Sequence, residues 1–230
     1  MEIIVSKEFH DICPEFKGAA ILAEVTNSKT SLELWQKIQT QCKLLQQQYT
    51  SDSIKTKPGI EATRKAYRLA GKDPSRYRPA CEQLARRVLQ KKDLYSIDTI
   101  VDIGNLVSLF SGYATAMLDA NKINGDTITL RLGTDADYYE GIGRGILNIC
   151  SLPTYSDSLG GIATPTSDSI RTKVTDTTHK ILMLINGFDG NSTTLNNAVE
   201  LALNLLKEHT QAVNERSLIS LNHFSFKKSS

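Results

Sequence analysis

The sequence predicts a mixed α/β domain, and three patterns carry that expectation. Residues 19–26 (AAILAEVT) and 181–185 are apolar, β-capable runs, residues 127–132 alternate apolar and polar side chains, and several longer segments repeat apolar residues every three or four positions. A single chain of 230 residues carrying both periods is long enough to bury about 70% of its unfolded surface around its own core, so one domain over 1–230 is expected.

The 19–26 run is broken by Asn27-Ser28, as a strand end is. Behind Ser31, a good N-cap, Trp35, Ile38, Cys42, Leu45 and Tyr49 line one face of a helix. The polar stretch from Ser51 to Lys57 runs into Pro58-Gly59, which closes an N-terminal βα unit over 1–57. A short helix over about 60–70 follows, stopped by Gly71. The turn from Gly71 to Pro79 feeds another helix, where Pro79 suits the first turn because a proline lacks the N–H that would be unpaired there. Cys81, Leu84, Ala85 and Val88 supply its buried face. Ser96 or Asp98 caps the next helix, with Ile97, Ile100, Val101, Gly104 and Val107 on one side and Asp102 and Asn105 together on its edge. After Gly112 the pattern changes to short strands and turns. Asn124-Gly125-Asp126 is a tight turn leading into 127–132.

The glycines of Gly141-Ile142-Gly143-Arg144-Gly145 read as turns, since they match neither a dinucleotide loop nor a Walker loop. The unbroken apolar run 181–185 fits a strand buried on both faces in the middle of a sheet. Ser192 or Thr193 opens a last helix with Leu195, Val199, Ala202, Leu206 and Val213 on one face, and a frayed tail including residues 227–230 ends the segment 191–230.

With 40% hydrophobic and 23% charged residues the composition is that of a globular protein and excludes a disordered or fibrous chain. Cys13, Cys42, Cys81 and Cys150 lie far apart without a CxxC pair, which argues for buried reduced thiols and against a zinc knuckle or a dense disulfide framework; no metal or cofactor is expected. Neither a basic segment followed by a long apolar run nor a stretch of membrane-spanning length is present, so the expectation is a soluble cytoplasmic protein with no membrane partner. The net charge of +2 hides an asymmetry: Glu61 to Lys92 holds ten Lys and Arg against three acids, and Asp93 to Glu140 holds eight acids against Lys122 and Arg131. Either the basic stretch forms a surface for phosphates or the two stretches are solvated helix faces.

No GxSxG, HExxH or phosphate-loop motif occurs, and His10, His179, His209 and His223 stand apart, so spacing nominates no catalytic residue. Two polar clusters remain. In Arg76-Tyr77-Arg78, guanidinium groups beside an aromatic ring suit phosphate or a stacked base; equally, they suit a turn whose arginines bind carboxylates or cap helices. The run from Thr166 to Thr172, with Asp168, Ser169 and Arg171, is either an Asp-capped turn or the polar wall of a pocket.

In order along the chain, Arg64-Lys65-Ala66-Tyr67, the segment from Gly71 to Pro79, Glu82 to Arg87, Val101-Asp102-Ile103-Gly104-Asn105, Asp119, Gly125, Arg131 and Thr166 to Thr172 resemble the B3/B4 family of the phenylalanyl-tRNA synthetase beta subunit and its free-standing relatives, over about 58–190. The resemblance implies a layered sandwich with mixed sheets and helices packed on one side, and a pocket for the aminoacyl end of tRNA, which in the synthetases hydrolyses tyrosine wrongly attached to the phenylalanine tRNA. It implies a trans-acting editing hydrolase in which Asn105, Thr166, Asp168, Ser169 and Arg171 contact substrate and Arg76 and Arg78 contact RNA phosphates. The alternative is a non-catalytic module that binds RNA or an amino-acid-like ligand; tRNA or aminoacyl-tRNA is the expected partner, and DNA is not. Three positions depart from the bacterial pattern: Gly104 stands where threonine is common, Ala116 where histidine is, and the stretch around Leu184 and Ile185 is apolar where a glutamate is expected.

Overall fold

The computed structural model describes residues 1–92, 94–220 and 223–225. In chain order the elements are β1 (Glu2–Val5), α1 (Lys7–Ile12), β2 (Lys17–Glu24), α2 (Leu32–Gln48), α3 (Pro58–Leu69), α4 (Ala80–Leu89), α5 (Thr99–Ser111), β3 (Ala114–Asp119), β4 (Thr127–Leu132), β5 (Glu140–Gly141), β6 (Gly145–Ile146), β7 (Pro153–Asp157), β8 (Gly160–Ala163), β9 (Lys180–Gly187), α6 (Ser192–Thr210), β10 (Val213–Ser220) and β11 (His223–Ser225), with short 3₁₀ turns between some of them.

The strands form a five-stranded sheet in the order β11-β1-β4-β7-β8, a four-stranded sheet in the order β10-β2-β9-β3 and the small β5-β6 hairpin. The five-stranded sheet is mixed, because β1 runs parallel to β4 while its other pairs are antiparallel; the four-stranded sheet is antiparallel throughout. The apolar run 181–185 lies in β9, between β2 and β3. Since side chains alternate along a strand, Ile181, Met183 and Ile185 join the core beneath the helices, while Leu182 and Leu184 join the layer between the two sheets. β2 divides its residues in the same way, with Ala19, Ile21 and Ala23 on the helix side and Ala20 and Leu22 on the other. The four-stranded sheet is thus the middle of three layers, which is why its central strands carry no polar face. Residues of α2, α4, α5 and α6 cover its outer side, in the layered arrangement with helices on one side that the family resemblance implies.

Local chemistry sets the element ends. Ser31 accepts from Leu34 N–H (3.2 Å) and Asp98 from Val101 N–H (2.9 Å), so of the two candidate caps for α5 it is Asp98 that acts. Lys57 reaches the far end of α5 and donates to the carbonyls of Phe110 (3.0 Å) and Leu109 (3.3 Å), satisfying acceptors that the helix cannot. α6 opens at Asn191, one residue before the expected caps, with its side chain accepting from Thr194 N–H (3.0 Å). Val213 does not extend α6. Gln211 takes a left-handed φ of 54°, the helix stops, and the chain returns as β10 against β2. The tail at 227–230 lies outside the described residues.

The four cysteines are free, with Cys13 and Cys81 buried and Cys42 and Cys150 half-buried. Among the described residues no helix is long and apolar enough to cross a membrane.

Candidate functional site

β3 is an edge strand, and a cleft of about 1050 Å³ opens beside it, walled by α4, α5 and the loops around 27–29, 142–144 and 166–176. Its position depends on how closely α5 approaches β3. At Gly104 a Cβ would lie 2.6 Å from Met117 Cγ, so only glycine permits this contact without moving the methionine, and Thr115 Oγ1 donates to the Gly104 carbonyl (3.0 Å) across it. The close approach delivers the next residue, Asn105, into the cleft beside Thr115 and Met117. Asn105 is half-buried, and its amide makes no hydrogen bond to a described residue.

Opposite it, the turn at 164–168 presents Asp168. Thr164 Oγ1 accepts from the N–H groups of Thr166 (3.2 Å) and Ser167 (3.1 Å), fixing the turn, and Asp168 Oδ2 accepts from Met117 N–H (3.1 Å), a donor that the sheet edge leaves unpaired. No cation pairs with this carboxylate among the described residues. Burial raises the Asp168 carboxyl to about 7, and the Met117 N–H opposes that shift only in part. The floor of the cleft therefore holds an acid that changes charge near neutral pH.

The walls carry seven Lys and Arg against three Asp. Lys29, Lys92 and Lys173 are exposed and make no ion pair with a described residue. Arg78 and Arg86 are held from below by Glu82, which is wholly buried: Arg86 Nε lies 2.8 Å and Arg78 Nε 3.6 Å from Glu82 Oε1, and Arg64 Nη1 lies 2.8 Å from Oε2. Arg144, on the turn between β5 and β6, hydrogen-bonds Gln83 of α4 across the cleft. A concave site with a basic rim, an amide unpaired among the described residues and a carboxyl raised by burial suits an anionic ligand that carries a polar reacting group.

The family model of the B3/4 domain matches residues 62–211, which is more than half of the chain and includes every wall of the cleft except the 27–29 loop. The chain belongs to the B3/4 domain family. It is a family found in the phenylalanyl-tRNA synthetase beta subunit and associated with tRNA binding. No curated protein matches the chain.

In this B3/4 domain the residues singled out in the sequence divide into two groups. Asn105, Thr166, Asp168 and Arg78 line the cleft. Thr166 does so with its hydroxyl committed: it donates to the Tyr77 carbonyl (2.9 Å) and so accepts from the Tyr67 hydroxyl (2.9 Å). Ser169, Arg171 and Arg76 lie outside the lining. Ser169 Oγ accepts from Arg171 N–H (3.3 Å), Arg171 forms a two-pronged pair with Asp157 (2.8 and 2.9 Å), and Arg76 sits over the Tyr77 ring with its guanidinium 5.6 Å from the centroid. Asp102 is an anchor, accepting from Thr30 (2.6 Å) and Ser96 (2.8 Å) and so tying two loops to the start of α5.

The departures from the bacterial pattern also acquire a physical meaning. Ala116 and Leu184 face the layer between the sheets and Ile185 faces the helix core, so a polar group at any of the three positions would be buried in hydrocarbon. Sequence reasoning did not find Lys29, Gln83, Arg144 or Lys173, which come from four separate segments and meet only in the fold. Outside the cleft, Glu33, Glu208 and His209 offer atoms close enough to share a metal ion, and Lys37 already bridges the two glutamates (3.5 and 2.7 Å).

Proposed function

We propose that this B3/4 domain takes the aminoacylated 3′ end of tRNA into the cleft and hydrolyses the ester, removing amino acid from mischarged tRNA in trans. The observation that carries the reading is Asp168, a cleft carboxyl without a countercharge among the described residues, raised by burial to about 7. A general base works best when its pKa lies near the working pH. Above pH 7 the Asp168 carboxylate accepts a proton from water as that water attacks the ester carbonyl. The Asn105 amide donates to the oxyanion that forms. Collapse breaks the bond to the ribose oxygen, which leaves with the proton returned by Asp168, giving free amino acid and uncharged tRNA. The cleft volume of about 1050 Å³ is slightly above the roughly 300–1,000 Å³ usual for small-ligand pockets, enough for the terminal nucleoside together with the amino acid.

The test is release of labelled amino acid from a panel of correctly and wrongly charged tRNAs. Asn105→Ala is expected to lower kcat about 10²-fold, the usual cost of one oxyanion donor, with no measurable change in unfolding midpoint because the amide has no partner among the described residues to lose. Full activity in that variant removes Asn105 from its role. Binding of tRNA without release of any amino acid makes the domain a binding module.

Phosphate contacts at the rim predict a second result. The tRNA affinity falls steeply with salt, and Lys29→Gln, Lys92→Gln and Lys173→Gln each flatten the dependence of log affinity on log salt by roughly 0.7–0.9. A slope that is the same in all four proteins places the phosphates elsewhere.

A further inference from the structure

The aromatic ring that the sequence offers for stacking is Tyr77, and the structure uses it up. Tyr77 is half-buried, and its ring already carries Lys72 Nζ at 4.0 Å and the Arg76 guanidinium at 5.6 Å. Tyr95 is the opposite case. It stands in the link between α4 and α5 and is 71% exposed. One face of its ring is backed by the Arg87 guanidinium, 4.4 Å from the centroid, and Arg87 is itself a wall of the cleft, so this largely exposed ring stands next to a cleft wall.

The backbone that follows the ring is anchored. Immediately after it, Ser96 Oγ donates to Asp102 (2.8 Å), Ile97 N–H approaches the same carboxylate (3.3 Å), and Asp98 caps α5. Lys92 and the exposed Ile97 line the cleft on either side of Tyr95 in the sequence. An exposed aromatic ring backed by a guanidinium, with a lysine alongside, is the arrangement by which proteins hold single-stranded nucleic acid.

We infer that Tyr95, backed by Arg87, is a stacking platform for a base of the single-stranded 3′ end whose terminal ester reaches Asp168. This rests on the reading of the cleft as a site for the end of tRNA, and adds to it a subsite that grips the strand independently of the amino acid.

The experiment uses short single-stranded RNAs ending in CCA, with the fluorescent base 2-aminopurine placed in turn at each of the last three positions. The intact protein should quench one of the three. Tyr95→Ala should lose that quenching and bind roughly 5- to 100-fold more weakly with an unchanged salt slope, because a neutral stacking contact is removed. Tyr95→Phe keeps the ring and should retain both signals. If the wild-type protein binds RNA and Tyr95→Ala matches it in affinity and fluorescence, the platform is overturned while the tRNA reading stands; if the wild-type protein binds none of these RNAs, both fall.

Discussion

Asp168→Asn is expected to lower ester hydrolysis about 10²- to 10⁴-fold and, at pH 8, to make the protein more stable. Both effects have one origin. In the unfolded chain the carboxyl titrates at its ordinary value of 3.8, and in the fold burial raises it to about 7, so the native state resists the charge that catalysis needs. Because the folded value is raised, the native state holds the extra proton between pH 4 and 7. Stability is therefore lost as pH rises through that window and levels off above it. The shift corresponds to at most about 4 kcal/mol, and solvent reaching the half-buried carboxylate screens part of it. Asparagine keeps the acceptor for Met117 N–H and never ionises, so its stability does not share the decline. Urea unfolding of both proteins from pH 4 to 8 checks this: the curves should lie close together at pH 4 and separate by pH 7, with the variant above. Parallel curves would mean that Asp168 is solvated like an ordinary surface acid, and the assignment of a general base would lose its support.

Much of the fold is legible in the sequence because its local signals agree with its tertiary demands. β9 is readable as a central strand since both of its faces are buried, and α2 and α5 are readable from a cap followed by an apolar stripe. β10 is not. Its residues VNERSLIS have no clean alternation, and what makes them a strand is the edge of β2, almost two hundred residues earlier in the chain. The cleft is legible in part for a similar reason. Asn105 and Asp168 stand in local motifs, whereas the fate of each arginine is decided at a distance: Arg171 is taken up by Asp157, and Arg78, alike in sequence to Arg76, is turned inward by Glu82. Charge counts along the chain locate the basic segment but cannot say which cations are already spent.

Glu82 carries the largest expected effect on stability. Its carboxylate is fully buried, and it meets Arg64 of α3 and Arg86 of its own helix at 2.8 Å each, with Arg78 at 3.6 Å. The arginines reach further, Arg86 to the Ser51 carbonyl (2.6 Å) and Arg64 to the Pro74 carbonyl (3.2 Å), so one acid joins α3, α4 and two loops. Glu82→Gln preserves shape and removes the charge, leaving guanidinium groups that are largely out of water facing one another without a counterion. Removing one partner of such a buried cluster costs about 3–5 kcal/mol, which for a chain of this length lowers the melting temperature by roughly 6–20 °C. The double variant Glu82→Leu with Arg64→Met should recover part of the loss, because it removes a cation together with the acid. Below its melting temperature Glu82→Gln should lose activity through misplacement of Arg78 and Arg86. A destabilisation under about 1 kcal/mol would show that the arginines find solvent without Glu82, and that the rim is organised by α4 alone.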